Sequence, residues 1–377
     1  MIFGKNYSAR RFLNCQLILS RIIFSLLTMT LLTACISPTP PPTLAPTANP
    51  LAQEIIFYSW AEDVRQSVLD MFTEEYGVKV KYVGYESQEE AIANIQAGQI
   101  YDVVLMESRF IPQLTKENLL AELDQMNLSN SKNLSANFRD LAYDPGSRYS
   151  IPNSWGTTGL VVRNDLIAKP VTRWADLWDP QYAGKVGLWM DEPREVISLT
   201  LKSLGYSANS ENPAELEETL TRLLELKPNT IALEDSNFAT PNGKLANGQV
   251  VISMGYAGNA YEAAENNLAV NYILPQDGAL LWNDTLIIPA NSPNKFTAEL
   301  FLNFLMRAEI NAIVVNENIF PTPNEAAYEF IDPEILKNPL IYPPNEDLVN
   351  AELILPLSQK GQLLYEDIWE RFSTASR

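Results

Sequence analysis

The first fifty residues decide which part of this chain can form a globular core. Arg10, Arg11 and Arg21 precede an apolar run from Ile22 to Leu32, and small residues follow that run. This order is typical of an export signal. An apolar run of about 11 residues is too short to cross the hydrocarbon core of a bilayer, which needs about 20. The pattern therefore predicts a body that folds outside the cytoplasm.

The signal ends in Leu-Thr-Ala followed by Cys35. This sequence resembles the bacterial lipobox, in which the cysteine is acylated and becomes the first residue of the mature chain. We expect residues 1–35 to form a lipoprotein signal peptide, with Cys35 carrying the lipid. The alternative is an uncleaved short membrane anchor, which would also leave the body outside the cytoplasm. Residues 36–53 are rich in Pro and Thr and predict a semi-rigid polyproline II tether of about 3.1 Å per residue.

The body that follows is acidic and contains no histidine. The chain of 377 residues has a formal net charge of -19, no histidine and two cysteines, Cys15 and Cys35. Triads that need histidine and His-ligated zinc are therefore excluded, and no disulfide is expected in the body. The charge argues against nucleic acid as a partner and favours cations. No glycine-rich nucleotide-binding motif occurs, and we expect no metal and no cofactor.

Strand patterns alternate with helical patterns along the body. Strands are predicted at 54–58, 78–83, 101–106, 250–254 and 280–289, and helices at 64–76, 89–97, 198–204, 213–226 and 295–307. Alternation of strand and helix predicts an α/β sheet with crossover helices. A body of about 325 residues can form one long domain or two ordinary ones.

Short motifs occur along this body in one order. They are Phe57-Tyr58-Ser59-Trp60-Ala61-Glu62, Tyr101-Asp102-Val103-Val104, Trp174-Ala175-Asp176-Leu177-Trp178, Arg194-Glu195-Val196, Leu204-Gly205-Tyr206-Ser207, Trp282-Asn283-Asp284 and Phe320-Pro321-Thr322-Pro323-Asn324. The ordered set resembles the spermidine/putrescine-binding proteins of bacterial ABC transporters. The resemblance extends over the whole body, from residue 54 to residue 377.

The resemblance implies an α/β, two-lobed periplasmic-binding-protein fold whose chain crosses between the lobes twice. Lobe one would comprise residues 54–157 and 283–328, and lobe two residues 158–282 and 329–377. It also implies a receptor that performs no catalysis. We expect a monomer in the periplasm, anchored to the membrane by its lipid, that captures a polyamine and delivers it to ABC permease subunits.

An amine ligand needs carboxylates for its charge and aromatic faces for its methylenes and for cation–π attraction. The candidate ligand-binding residues are Trp60, Glu62, Glu107, Glu192, Glu195, Tyr256, Trp282, Asp284 and Phe320. The resemblance implies that Glu195, Trp282 and Asp284 hold one terminal amine, and that Trp60 and Glu62 lie along the ligand chain. Affinity should fall with added salt and on acidification towards carboxylate pKa values of about 4.

Several positions depart from the pattern of the resembled family. Glu107-Ser108-Arg109 stands where the family commonly has Ser-Thr-Tyr, Tyr256 replaces a tryptophan, and Phe320 replaces a tyrosine. Arg109 would repel an amine unless Glu107 or Asp63 neutralises it. A shorter diamine, a different polyamine or an amine bearing a negative group are all compatible with these changes.

Two other functions fit the same residues. A receptor of the same fold could bind ferric iron through tyrosines such as Tyr256. A carboxylate-based glycoside hydrolase could use two of the acids Glu62, Glu192, Glu195 and Asp284, provided that they lie about 5 to 10 Å apart.

Overall fold

The computed structural model describes residues 50–60, 64–233, 243–266 and 269–375. The chain from Leu51 onward forms one compact unit. The predicted signal peptide with Cys35, nearly all of the predicted tether, and the candidate residue Glu62 lie outside the described residues. Within the described ranges, no helix is both long and apolar enough to cross a membrane.

The regular elements are numbered here in chain order. The strands are β1 (Glu54–Trp60), β2 (Lys79–Tyr85), β3 (Val103–Glu107), β4 (Ser150–Arg163), β5 (Val186–Trp189), β6 (Thr230–Leu233), β7 (Ile252–Tyr256), β8 (Val270–Ile273), β9 (Leu280–Ile287) and β10 (Glu352–Leu353). The α-helices are α1 (Gln66–Tyr76), α2 (Gln88–Gln96), α3 (Ile111–Lys116), α4 (Pro193–Ser203), α5 (Pro213–Leu226), α6 (Ala257–Asn266), α7 (Lys295–Leu305), α8 (Ala308–Asn318), α9 (Pro333–Leu336) and α10 (Gln359–Thr374).

The strands form one mixed sheet in the order β2-β1-β3-β9-β4-β7-β5-β6, with β10 beside β9 and β8 beside β4. β1 pairs in parallel with β2 and β3, and β5 pairs in parallel with β6 and β7. The middle of the sheet is antiparallel, because β9 runs opposite to both β3 and β4, and β4 runs opposite to β7. Helices connect β1 to β2 and β2 to β3, so the predicted crossover arrangement is confirmed in this part.

Local sequence sets the ends of the first two helices. Gly77 ends α1 with a φ of 70°, in the left-handed region that glycine adopts without steric cost, and its N–H donates to the Thr73 carbonyl over 2.8 Å. At the start of α2, the Ser87 hydroxyl accepts a hydrogen bond from the Glu90 N–H over 3.1 Å. These two ends fix where β2 begins and where α2 follows it.

Two long strands join the two main hydrophobic cores. β4 and β9 pair with one another from Ser150 opposite Ile287 to Thr158 opposite Leu280. One core includes Ile151 of β4 and Leu286 of β9. The other core includes Leu160 of β4 and Leu280 of β9. The paired strands therefore contribute to both cores, and the site residues lie where they cross from one core to the other.

Candidate functional site

Four adjacent strands bring candidate acids and aromatic residues to one face of the sheet. Glu107, the last residue of β3, lies opposite Asp284 of β9. Trp282 is two residues from Asp284 and therefore shares its face. Like charges directly opposite one another destabilise a sheet. The Glu107–Asp284 pair is thus a place where a cation is favoured.

A row of aromatic rings covers this face. The Tyr256 ring, at the end of β7, lies edge-on to Trp189 with centroids 4.8 Å apart and edge-on to Trp282 at 5.6 Å. Phe320 continues the row at 5.5 Å from Trp282. Gly156 lies opposite Trp282 across the strands, and a Cβ at Gly156 would overlap the indole ring. The absence of a side chain at Gly156 is therefore what lets the Trp282 ring lie flat against β4.

The neighbouring residue of β9 holds the strand in place from its opposite side. Asn283 accepts a hydrogen bond from the Tyr143 hydroxyl over 2.7 Å, and its amide nitrogen donates to the Ser154 carbonyl over 2.9 Å. Both Asn283 and Asp284 are buried. The contacts of Asn283 thus help to fix the strand that carries the Asp284 carboxylate.

Glu195 approaches the same face from the first turn of α4. Its side chain is 4 % exposed, and its Oε2 atom has no hydrogen-bond partner among the described residues. Burial raises the pKa of Glu195 to about 7, with a further rise from Glu107 and an opposing effect of Arg109. A buried carboxylate oxygen without a donor is costly, so this atom is a candidate partner for a ligand cation.

Arg109 is paired with two of the candidate acids. Its Nε atom lies 2.5 Å from Glu107 Oε2, and its Nη2 atom lies 3.8 Å from Glu192 Oε2. The guanidinium also lies over the Phe110 ring, 4.7 Å from the centroid. Burial alone would lower the pKa of Arg109, but Glu107, Glu192 and Glu195 outweigh it and raise that pKa.

For Glu192, the second of these acids, the effect of burial on the pKa outweighs the effect of the opposite charge. Burial raises the pKa of Glu192 well above the ordinary range, and Arg109 only partly offsets that effect. Of the two acids that could neutralise Arg109, Glu107 contacts it directly, and Asp63 lies outside the described residues.

The candidate residues thus fall into two sets, which we name by their contacts. The anchoring group is Glu195, Tyr256, Trp282 and Asp284. The paired group is Glu107, Arg109 and Glu192. The two sets meet where Glu107 lies opposite Asp284.

A cavity of about 760 Å³ lies against the paired group. Arg109, Phe110 and Lys116 line one side, and Pro193 and Leu355 lie among its other lining residues. Of the paired group, only Arg109 lines this cavity. Arg109 therefore both lines the cavity and contacts Glu107 and Glu192, which do not line it.

Trp60 ends β1 in different surroundings. Its ring packs against Tyr85 of β2 with centroids 4.7 Å apart, and its carbonyl accepts a hydrogen bond from the Tyr82 hydroxyl. These contacts join Trp60 to the hydrophobic cores beneath β1 and β2. Neither contact reaches the anchoring group within the described part of the chain, and a role of Trp60 in binding stays a prediction.

Sequence reasoning did not select two residues of this region as members of the site. Trp189 ends β5 and contacts Tyr256, and the signal for it was its position three residues before Glu192. Arg109 was recognised as a cation in the cleft but not as the partner of Glu192. That pairing joins the end of β3 to the start of α4, and local sequence gives no indication of it.

Residues 67–343 match the family described as bacterial extracellular solute-binding proteins. This chain belongs to that family. The spermidine/putrescine-binding periplasmic protein of Escherichia coli is 36% identical over 301 residues, which is 79% of this chain and 85% of that protein. The putrescine-binding periplasmic protein SpuD of Pseudomonas aeruginosa is 31% identical over 339 residues, covering 84% of this chain and 91% of that protein.

Solved structures give the same result. The substrate-binding protein of a spermidine/putrescine ABC transporter from Streptococcus pneumoniae matches with a TM-score of 0.76 and 31% identity, covering 85% of this chain and 99% of that one. A spermidine/putrescine ABC transporter protein from Listeria monocytogenes matches with a TM-score of 0.79 and 30% identity, covering 86% and 99%. The predicted periplasmic-binding-protein fold and the predicted family are therefore confirmed. As an extracellular solute-binding protein, the chain acts outside the cytoplasm in solute transport.

Proposed function

We propose that this protein is a lipid-anchored receptor that binds an amine of the putrescine and spermidine class and delivers it to an ABC permease. The observation that carries the proposal is the anchoring group. Two buried acids, Glu195 and Asp284, accompany the rings of Tyr256 and Trp282 on one face of the sheet. Carboxylates with aromatic faces are what a primary ammonium on an alkyl chain requires. The named ligands of the relatives have this chemistry.

The binding cleft in this proposal lies between lobes with the boundaries given above, 54–157 with 283–328 and 158–282 with 329–377. The two crossings would fall at Thr157–Thr158 and Trp282–Asn283, inside the paired strands β4 and β9. A hinge needs only a few residues that absorb a rotation. Placing it at Trp282 would couple closure directly to contact between the indole and the ligand.

Calorimetry tests the proposal. The full-length protein, purified in detergent, is titrated with putrescine, spermidine, spermine and agmatine, and saturable binding of at least one of them is expected. A neutral sugar serves as the control titrant. Binding of the sugar and of none of the amines would contradict the proposal and support the hydrolase alternative. The relatives support neither the hydrolase alternative nor iron binding.

The lipid anchor is tested separately. Cys35→Ala should move the protein from the membrane fraction to soluble or uncleaved material, because acylation at a single residue would be lost. The same fractionation of a Cys15→Ala variant, which keeps the lipobox, should match the wild type. Unchanged membrane association of Cys35→Ala, with no lipid label on the wild type, would argue for an uncleaved anchor.

A further inference from the structure

We infer that Arg109 is an internal cation that occupies part of the amine-binding cleft and limits the protein to short amines. This inference rests on the proposed function and makes it more specific. It predicts that the wild-type protein prefers a short diamine such as putrescine to the longer triamine spermidine. It further predicts that removing Arg109 reverses this preference.

The first step in the argument is the charge of the paired group. The carboxylates of Glu107 and Glu192 face one guanidinium, at 2.5 Å and 3.8 Å. The Arg109 side chain is only 11% exposed. An arginine remains protonated at any ordinary pH. These two acids are therefore already supplied with a positive charge before any ligand arrives.

The second step is that Glu195 has no direct ion pair of this kind. The ion pairs of the described residues connect Arg109 to Glu107 and Glu192 and do not connect any lysine or arginine to Glu195, which feels Arg109 only at longer range. Glu195 keeps a buried oxygen without a hydrogen-bond partner among those residues. A ligand ammonium gains most at this end of the site, and a second ammonium at the Arg109 end would meet a fixed positive charge.

The third step is the space around Arg109. Arg109 lines the cavity of about 760 Å³, whereas Glu107 and Glu192 do not. Phe110 lies under the guanidinium and supports it in this position. Removing the side chain would free the space that it fills beside Glu107 and Glu192 and would leave the two acids available to a second ammonium. The site would then be both longer and more acidic.

The test compares the affinities of putrescine and spermidine for the full-length protein in detergent. Arg109→Ser should change the ratio of the two dissociation constants by at least about tenfold in favour of spermidine. Lys116→Ser is the matched control, because Lys116 is an exposed cation that lines the same cavity, and within the described ranges the ion pairs of Glu107 and Glu192 go to Arg109 and not to Lys116. That variant should change the ratio by less than about threefold. An unchanged ratio in Arg109→Ser, or an equal change in Lys116→Ser, would overturn the inference.

If the wild type binds no amine, the proposed function fails. A measurement without ligand then still tests whether Arg109 acts as an internal cation. The charged and titratable groups around Arg109 are Glu107 on β3, Glu192, Glu195 and the cation Arg194 at the start of α4, and Glu89 on α2, with Asp284 and Tyr256 beyond them. Without the guanidinium these acids repel one another when ionised. The melting temperature of Arg109→Ser should therefore fall further below that of the wild type at pH 8 than at pH 5.5.

Arg109→Met gives a second variant that keeps the apolar stem over Phe110 and removes only the charge. The same pH dependence of melting is expected for it. An equal loss at the two pH values in both variants would show that Arg109 acts through packing, and it would contradict the role of an internal cation.

Discussion

The anchoring group and the paired group each contain two acids but differ in how the charge of those acids is balanced. In the paired group, Arg109 supplies a cation to Glu107 and Glu192 within the protein itself. In the anchoring group, Glu195 is buried with an unpartnered oxygen among the described residues, and its pKa is raised. The comparison indicates that acidic residues alone do not mark a cation site. What marks it in this comparison is a buried acid that has no direct ion pair among the described residues.

The largest expected loss of amine affinity comes from a change in the anchoring group, at Asp284. Asp284→Asn keeps the shape of the side chain and removes its charge, so a ligand ammonium would lose a buried partner. Such a loss costs about 2 to 5 kcal/mol, which is about one and a half to four decades in affinity. Calorimetry with the tightest-binding amine measures this loss.

Glu122→Gln provides the control for Asp284→Asn. Glu122 forms an exposed ion pair with Arg148 on the surface, and an exposed pair contributes little. Wild-type amine affinity is expected in this variant. Should Asp284→Asn bind every amine as well as the wild type does, the anchoring group is not the ligand site.

A smaller effect is expected at the aromatic row. Trp282→Leu removes a cation–π partner, which contributes about 2 kcal/mol in a desolvated site. Gly156→Ala should reproduce much of that loss with the indole still present, because the new Cβ overlaps the ring and displaces it. Overpacking of this kind costs about 1 to 3 kcal/mol. Tryptophan fluorescence and amine titration of the two variants measure the displacement and its effect.

Gly184→Ala is the control for the glycine substitution, since a Cβ there meets nothing within 4 Å. Gly184 has a φ of +64°, so its variant reports the strain of a left-handed position without any contact with the indole. A loss of amine affinity in Gly184→Ala equal to that in Gly156→Ala would mean that the effect is general destabilisation.

The smallest expected effect is the dependence of amine affinity on pH, which arises from Glu195 of the anchoring group. Burial raises the pKa of Glu195 to about 7, and a cation binds the ionised form more tightly. Binding then releases a proton, and amine affinity should rise about tenfold between pH 6 and pH 8, because ionisation of a group with this pKa rises by nearly that factor. Titrations at the two pH values measure the slope.

The raised pKa of Glu195 makes the free energy of unfolding change with pH in the direction opposite to amine affinity. Between the ordinary glutamate pKa and about 7, the folded state holds a proton on Glu195 that the unfolded state has lost. The free energy of unfolding should therefore fall as pH rises through this window and level off above it. Glu195→Gln should flatten both profiles, whereas wild-type slopes in that variant would assign them to Glu192, whose pKa burial also raises.

Much of the fold follows from local sequence. Periodicity predicted α5 at 213–226 with its observed bounds, and the glycine at 77 correctly ended α1. The 14-residue strand β4 was not predicted, because it contains a proline and two glycines and because both of its faces are buried. Within the sheet it lies between β9 and β7. Helix α4 begins at Pro193, five residues before the predicted start. Its first turn buries the polar residues Arg194 and Glu195, so this turn does not show the periodic apolar pattern that predicts a helix.

The site was less accessible to sequence reasoning than the fold. The spacing of Trp282 and Asp284 places them on one face of a strand, and a resemblance to a known family selected both. The position of Glu107 opposite Asp284 depends on the register of two antiparallel strands far apart in the chain. The raised pKa of Glu195 likewise depends on burial, so the expectation of titration near 4 does not hold for this residue.

The pairing of β4 with β9 also has a mechanical consequence. Both strands contribute to both main cores, and they are hydrogen-bonded to each other along their shared length. Sliding one strand past the other would break these hydrogen bonds, whereas the twist between adjacent strands of a sheet varies widely. A change of twist between β4 and β9 should therefore cost less than sliding. Because Gly156 lies opposite Trp282 on these strands, such a change would move the indole, so in the proposed hinge the backbone that twists would also carry the wall of the site.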